Sequence, residues 1–302
     1  MYRIFFLTSL LALSLITFSQ KTDAVLQKKL QALVKNHPGD VALFVKNLKN
    51  GRVAAINADS IYPTASMVKV PILVAIMDKI ANNELQFHQE LIYHDSLLYP
   101  GVDILGSFKV GEKIELSKLI MLMSSMSDNT ASIWLQLLAG TGTRVNQIMD
   151  SLGFKHLRVN SRTPGREEER NRFGWGQCTP REMASVFESI YLHKIISPAV
   201  CDRMLRTLSR NYWDGEALSQ VPPNAAVFSK NGALDNYRSE AVLVKGPQSE
   251  FVFCIITNNN KDTSWTKNNE AWKLIREIAS TLWNYFEPNH QWKPPAGSEV
   301  FY

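Results

Sequence analysis

The chain has 302 residues, 45% hydrophobic and 20% charged, with a formal net charge of +5. That is enough apolar material for one large domain or two closely packed subdomains, and it argues against extended disorder. The mild positive charge comes without a basic stripe, the six histidines are scattered, and no CxxC or HExxH spacing occurs. Neither a nucleic-acid partner nor a metal site nor a cofactor is therefore expected.

The first twenty residues, MYRIFFLTSLLALSLITFSQ, place Arg3 before an apolar run at 4–17 and end in the small-residue exit Thr17-Phe18-Ser19. This is the pattern of a cleaved secretory signal, and the run is short for a spanning helix. The expectation is an exported chain, periplasmic or secreted, without a stable membrane anchor. Cys178, Cys201 and Cys254 are too few and too odd for a disulfide framework and read as buried small hydrophobes.

Residues 22–36 show a helical apolar face, ended by His37-Pro38-Gly39-Asp40. VALFVKNL and RVAAINA then read as two strands joined at Asn50-Gly51, a hairpin pair that tolerates positive φ. PTASMVKVPILVAI, residues 63–76, is a core helix in which Pro71 forces a bend or a late start. Residues 115–139 are helical and apolar but interrupted by Ser127-Asp128-Asn129, and NQIMDSLG closes another helix at Gly153.

Residues 158–177 are polar and Gly-punctuated, a long loop of the kind that usually serves function. Thr179-Pro180 caps and starts the next helix. AAVFSKNG, SEAVLVKG and EFVFCIIT look like strands, and residues 268–286 like a closing helix. Strands thus bracket a helical middle. The predicted fold is α/β (α+β): an antiparallel sheet built from both chain ends and flanked by helices, plus an all-helical subdomain. In residue terms the catalytic unit covers 21–290, with its α/β part at 21–62 and 222–290, its helical part at 63–221, and a tail at 291–302. The groove between the two parts is the expected site, in a chain expected to be monomeric.

Ser66 and Lys69 stand three apart at the front of that core helix, on one face. A lysine whose charged form is disfavoured by apolar neighbours can take the proton of a serine hydroxyl and make it a nucleophile. The bland alternative is a helix cap beside a surface lysine. A second SxxK, Ser264–Lys267, has polar neighbours and reads as a solvated loop. Ser127-Asp128-Asn129 is a good helix–helix turn; it also offers a hydroxyl for proton relay and an amide for a substrate amide. Lys230-Asn231-Gly232-Ala233 ends a strand in a turn pair. It equally offers a cation for a carboxylate, a glycine that lets substrate backbone approach, and the Ala233 N–H as a partner for that of Ser66 in an oxyanion hole.

The three motifs S-x-x-K, S-D-N and K-x-G occur in that order, with Ser66, Ser127 and Lys230 heading or anchoring them. So arranged, the chain resembles the class A β-lactamase family across about residues 22–286. The resemblance extends to Asn57-Ala58-Asp59, Asp128-Asn129-Thr130-Ala131 and Thr179-Pro180-Arg181-Glu182-Met183-Ala184. It implies that Ser66 is acylated with Lys69 as its partner, and that Ser127 passes a proton to the lactam nitrogen. Lys230 would then hold the substrate carboxylate and Asn129 the side-chain amide. Arg238 lies close to where the family keeps a second carboxylate-binding arginine, and Tyr99 where an aromatic often walls the cleft; an ordinary loop tyrosine is an equal alternative for Tyr99.

Two departures bear on function. The third motif carries Asn231 where the family has threonine; its amide N–H still suits a carboxylate, with altered shape. Read without gaps, Thr163-Pro164 falls on the family's glutamate-proline pair, whose carboxylate activates the deacylating water. Thr163 has no carboxylate. Glu167, Glu168 and Glu169 follow, and Glu167 precedes Asn171 by the family's Glu-to-Asn spacing. The same run with Arg166 and Arg170 has the composition of a solvated, salt-bridged loop, which weighs slightly more.

The leading expectation is an exported serine β-lactamase cleaving the lactam amide through an acyl-serine, a trait of antibiotic resistance. The alternatives are a penicillin-binding-protein-like D-alanyl peptidase or esterase with slow deacylation, or a covalent β-lactam sensor without turnover. All take a small-molecule β-lactam or a cell-wall peptide.

Overall fold

Apolar alternation near the two chain ends resolves into one antiparallel sheet. Its strands are β1 (Asp40–Asn47) and β2 (Val53–Ile56) from the front of the chain, with the short β3 (Tyr62–Pro63) outside it. The computed structural model describes residues 21–302, so the secretory-signal reading falls outside the described residues. The remaining small strands are β4 (Glu90–Ile92), β5 (Lys113–Glu115), β6 (Arg158–Val159) and β7 (Gly176–Cys178). Three long strands, β8 (Ala226–Leu234), β9 (Tyr237–Lys245) and β10 (Glu250–Asn258), complete the main sheet in the order β2-β1-β10-β9-β8. Strand β8 is thus an edge, and it faces the groove.

The helices are α1 (Ala24–Val34), α2 (Lys69–Ala81), α3 (Leu116–Ser125), α4 (Asn129–Leu138), α5 (Thr141–Ser151), α6 (Glu167–Phe173), α7 (Pro180–Tyr191), α8 (Pro198–Leu208) and α9 (Glu270–Phe286). Side chains alternate across the sheet. Val242, Val244 and Phe253 pack with Leu30 of α1 and Ile278 and Leu282 of α9 on one face. Ala241, Leu243, Cys254 and Phe44 join the larger core with Phe187 of α7 and the buried residues of α2 on the other. Every residue from Lys69 to Met77 is buried, as befits a helix apolar all round that runs through a core.

Pro71 starts that helix late. A 3-10 turn, Ala65–Val68, precedes α2, and Pro71 falls in its first turn, where a missing N–H costs nothing. Residues 158–177 are not a plain loop: they hold β6, α6 and β7. Helix α6 puts Glu167, Glu168 and Glu169 in its first turn and Arg170 and Arg172 in its last, the arrangement that suits the helix dipole. Beyond α9 the chain folds back, with the Trp283 indole N–H donating to the His290 carbonyl at 2.9 Å. Among the described residues no helix is long and apolar enough to cross a membrane.

Candidate active site

Ser66 sits in the 3-10 turn just before α2, and Ala65 ahead of it holds φ at 44°. A non-glycine residue in the left-handed region costs roughly 1–3 kcal/mol and persists only where its surroundings impose it. Here the buried Tyr237 hydroxyl donates to the Pro63 carbonyl at 2.5 Å, and the Thr64 N–H donates to the Gly176 carbonyl at 3.0 Å. Strand β8 lies directly against this turn. A Cβ on Gly232 would come within 2.6 Å of the Thr64 oxygen and 3.0 Å of the Ser66 nitrogen. Only glycine permits that approach.

Lys69 is 1% exposed, and its Nζ has four oxygen neighbours: Ser66 Oγ at 3.1 Å, Ser127 O at 2.5 Å, Ser127 Oγ at 3.1 Å and Asn129 Oδ1 at 3.0 Å. Burial holds its pKa well below that of an ordinary lysine, helped by the Lys230 charge and opposed by Asp128. The neutral amine has two N–H groups and one lone pair. Two of the neighbours, the Ser127 carbonyl and the Asn129 amide oxygen, can only accept. With the two N–H groups given to them, the lone pair is left to the hydroxyls of Ser66 and Ser127. Among the described residues, no carboxylate hydrogen-bonds Lys69 or Ser66.

Ser127 reaches this position because the link between α3 and α4 turns sharply, with φ of 62° at Ser127. Asp128 fixes the turn. It is wholly buried and caps α4 by accepting from Ala131 N at 2.7 Å, and its second oxygen accepts from Ile104 N at 2.6 Å and Leu105 N at 2.9 Å. Three backbone donors satisfy one buried charge and tie a remote loop to the groove. Asn129 is held from both sides, its N–H donating to Val102 O at 2.8 Å and its Nδ2 to Pro100 O at 3.3 Å.

Lys230 is also 1% exposed, its Nζ donating to Asn231 O and Asn231 Oδ1 at 3.0 Å each. Burial pushes its pKa down to about 7, with the Glu240 carboxylate pulling the other way. Asn231 gives its carbonyl to Lys230, which turns its amide nitrogen toward other acceptors. Glu240 lies opposite Asn231 on β9, accepts from Ala217 N at 2.9 Å, and is pushed up to about 8 by burial. Ser239, opposite Gly232, donates its hydroxyl to the Gly232 carbonyl at 3.1 Å and steadies the strand.

The structure therefore brings Ser66, Lys69, Ser127 and Asn129 into one hydrogen-bonded cluster and places Gly232 against it, with Asn231 and Ala233 as its neighbours on β8. Lys230 is near enough for its charge to act on Lys69. Tyr99 stands at the rim beside Asn129: its N–H donates to Thr130 Oγ1 at 2.9 Å and its ring meets Trp175 edge-on at 4.8 Å.

One expected residue, Arg238, and one weighed as the weaker alternative, Glu167, are elsewhere. Arg238 is not in the groove. It pairs with Ala233 across the hairpin but points to the other sheet face, its guanidinium 4.4 Å and 4.5 Å from the ring centres of Trp265 and Trp272. Its Nη2 donates to Ser264 O at 2.9 Å, and the second SxxK stretch lies in a largely exposed loop ahead of α9. Side-chain direction alternates along a strand, and the groove face at this level belongs to Ser239.

Glu167 is likewise outside the cluster. It is exposed at the start of α6, where its carboxylate accepts from Gly165 N at 3.2 Å. Glu169 lies 3.9 Å from Arg166, whose Nε and Nη2 bond Asn160 Oδ1 at 2.7 Å and Gln177 Oε1 at 2.9 Å. An inward arginine, not a carboxylate, organises this segment. Thr163 is buried, donating to Ser161 O at 3.0 Å. Sequence reasoning also missed Ser239 and the stretch Asn211–Trp213, which carry no motif; only their long-range partners reveal them.

An antiparallel sheet with an inserted helical part, and a serine–lysine–serine cluster in the groove between them, define the β-lactamase/transpeptidase-like architecture. The sequence pattern of the beta-lactamase enzyme family matches residues 25–286, and the chain belongs to that family. Beta-lactamase VEB-1 of Pseudomonas aeruginosa is 26% identical over 265 residues, covering 83% of this chain and 86% of that protein. Among solved structures, PBP-A superposes with a TM-score of 0.80 at 23% identity, covering 89% of this chain and 98% of that one. A beta-lactamase from Chitinophaga pinensis gives 0.76 at 21% identity, covering 86% and 99%. A single-site variant of PBP-A has been solved as an acyl-enzyme complex with penicillin G.

Proposed function

We propose that the chain is an exported, class A-like serine hydrolase that opens the β-lactam amide through an acyl-Ser66 intermediate. The observation that carries this reading is the Lys69 amine, buried, disfavoured as a cation and 3.1 Å from both the Ser66 and Ser127 hydroxyls. Lys69 takes the Ser66 proton as Oγ attacks the amide carbonyl. The N–H groups of Ser66 and Ala233 receive the oxyanion. The proton passes through Ser127 to the leaving nitrogen, and the C–N bond breaks. Lys230 and the Asn231 amide hold the substrate carboxylate, and Asn129 meets the side-chain amide. The leader at residues 1–20 would deliver the chain to the periplasm or the medium.

A second reading, a penicillin-binding D-alanyl peptidase whose lactam adduct persists, is favoured by one observation. Among the described residues no carboxylate hydrogen-bonds Lys69, so no group there stands ready to activate the deacylating water. General-base assistance contributes about 10²–10⁴-fold, which is the expected lengthening of the adduct's life. Intact-mass spectra over time after mixing with penicillin G test both readings. An adduct in the wild type, absent in Ser66→Ala, assigns the nucleophile. Its decay within seconds favours hydrolysis; persistence, together with D-alanine release from a muropeptide, favours the peptidase. No adduct at any time overturns both.

A further inference from the structure

The connection after α8 belongs to none of the motifs, yet it spans the groove where two of them meet. Tyr212 N donates to Ser125 O at 3.0 Å, and the Trp213 indole Nε1 donates to Met126 O at 2.9 Å. Ser125 and Met126 immediately precede Ser127. Asn211 Nδ2 donates to Ser229 Oγ at 2.9 Å, and Ser229 immediately precedes Lys230. Three consecutive residues thus bridge the wall that carries the proton-relaying serine and the wall that carries the carboxylate-binding lysine.

Despite this anchorage the two rings stay open to solvent. Tyr212 is 61% exposed and Trp213 40%, and they meet edge-on with centroids 5.2 Å apart. An indole whose N–H is already bonded has only its flat apolar face left to offer. Two adjoining exposed rings, anchored by hydrogen bonds to the residues before Ser127 and Lys230, make a small apolar patch at the groove that a flat ligand group can cover. The opposite rim, at Asn129, carries its own apolar set in Tyr99, Val102 and Ile104, so the two ends of the groove are equipped separately.

We propose that Trp213, backed by Tyr212, is a specificity-determining face for a flat apolar group carried on the leaving-nitrogen side of the substrate, beside the carboxylate at Lys230. The inference rests on the acyl-Ser66 reading above, because Ser127 and Lys230 define which side the nitrogen leaves from. The substrates so favoured are amides whose leaving portion bears an aromatic substituent, among β-lactams those with an aryl or styryl group on the fused ring.

The test uses two cephalosporins with the same acyl side chain, one with a styryl group and one with a methyl group at ring carbon 3. Second-order acylation rates are measured by intact mass for wild type, Trp213→Ala and Trp213→Phe. The ratio of the two rates is compared between proteins, so the intrinsic reactivities of the lactams cancel. The expected result is a ratio about five- to tenfold lower in Trp213→Ala. Trp213→Phe, which keeps a flat face but loses the indole N–H, retains most of the wild-type ratio. An unchanged ratio in Trp213→Ala, with both rates reduced together, makes Trp213 a brace only and overturns the proposal. If wild type is acylated by neither compound, the Ser66 reading fails and takes this inference with it.

Discussion

Replacing Lys230 by methionine should stabilise the protein while weakening carboxylate binding, and the gain should depend on pH in a calculable way. Lys230 is 1% exposed, and burial takes its pKa from 10.5 down to about 7. At about 1.4 kcal/mol per pH unit, that fall corresponds to about 5 kcal/mol as a ceiling. The sign follows from proton counting. Between pH 7 and 10.5 the unfolded lysine keeps its proton and the folded one releases it, so wild-type stability rises with pH across that window. Below about pH 7 both states are protonated and the full cost is present; above 10.5 it is gone. Methionine, similar in volume and uncharged, carries no such term. Urea unfolding of both proteins at pH 6.5 and 9.5 is the assay. The advantage of Lys230→Met should shrink by about 3 kcal/mol between those values. A change below about 1 kcal/mol would refute the claim that burial disfavours the Lys230 charge. Glu240, pushed up to about 8, titrates in the same range, and the comparison repeated in Glu240→Gln isolates the lysine.

Three further changes probe the groove. Gly232→Ala places a methyl 2.6 Å from the Thr64 oxygen, so β8 must move away from the Ser66 turn. Acylation should slow by about 10²-fold with the circular dichroism spectrum unchanged; a wild-type rate would contradict the proposed oxyanion geometry. Asp128→Ala strands three backbone N–H groups, and thermal or urea unfolding should show a loss of about 3–5 kcal/mol. Glu167→Gln should leave the adduct lifetime within about twofold, because the side chain is exposed and, among the described residues, accepts from Gly165 N in its own turn. A much longer lifetime would show that Glu167 reaches the acyl group after all.

Most parts of this protein that are legible in the sequence share one property: they depend on neighbours close along the chain. Asn50-Gly51 lies in the link from β1 to β2, with Leu43 opposite Ile56; Gly51 alone takes the positive φ, 70°, in a connection longer than a two-residue turn. Thr179 caps α7 by accepting from Glu182 N at 3.1 Å, with Pro180 at the first position. The spacing of Ser66 and Lys69 predicts a shared face, and the 3.1 Å contact follows from it. The sheet built from both chain ends is the exception: the order of strands and helices points to it, but β1 pairs with β10 from the far end of the chain.

What failed, or was invisible, depended on partners far along the chain. Arg238 is one residue away from the groove face, and the two-residue link Asp235-Asn236 sets a register that sends it to Trp265 and Trp272 instead. Local periodicity cannot fix such a parity, because a one-residue slip reverses every side chain on a strand. For Glu167 the spacing from Asn171 and the charged composition leave two readings open, and only the fold chooses: α6 turns it outward, and Arg166 bonded to Asn160 and Gln177 occupies the inward side. The bridging residues Asn211–Trp213 find their acceptors at Ser229, Ser125 and Met126, and nothing near them in sequence announces that. Residue types and short spacings determined the elements and the chemistry on offer. Which groups meet, and which of them are disfavoured as ions, was decided by packing, since desolvation and long-range hydrogen bonds exist only once distant segments have closed over one another.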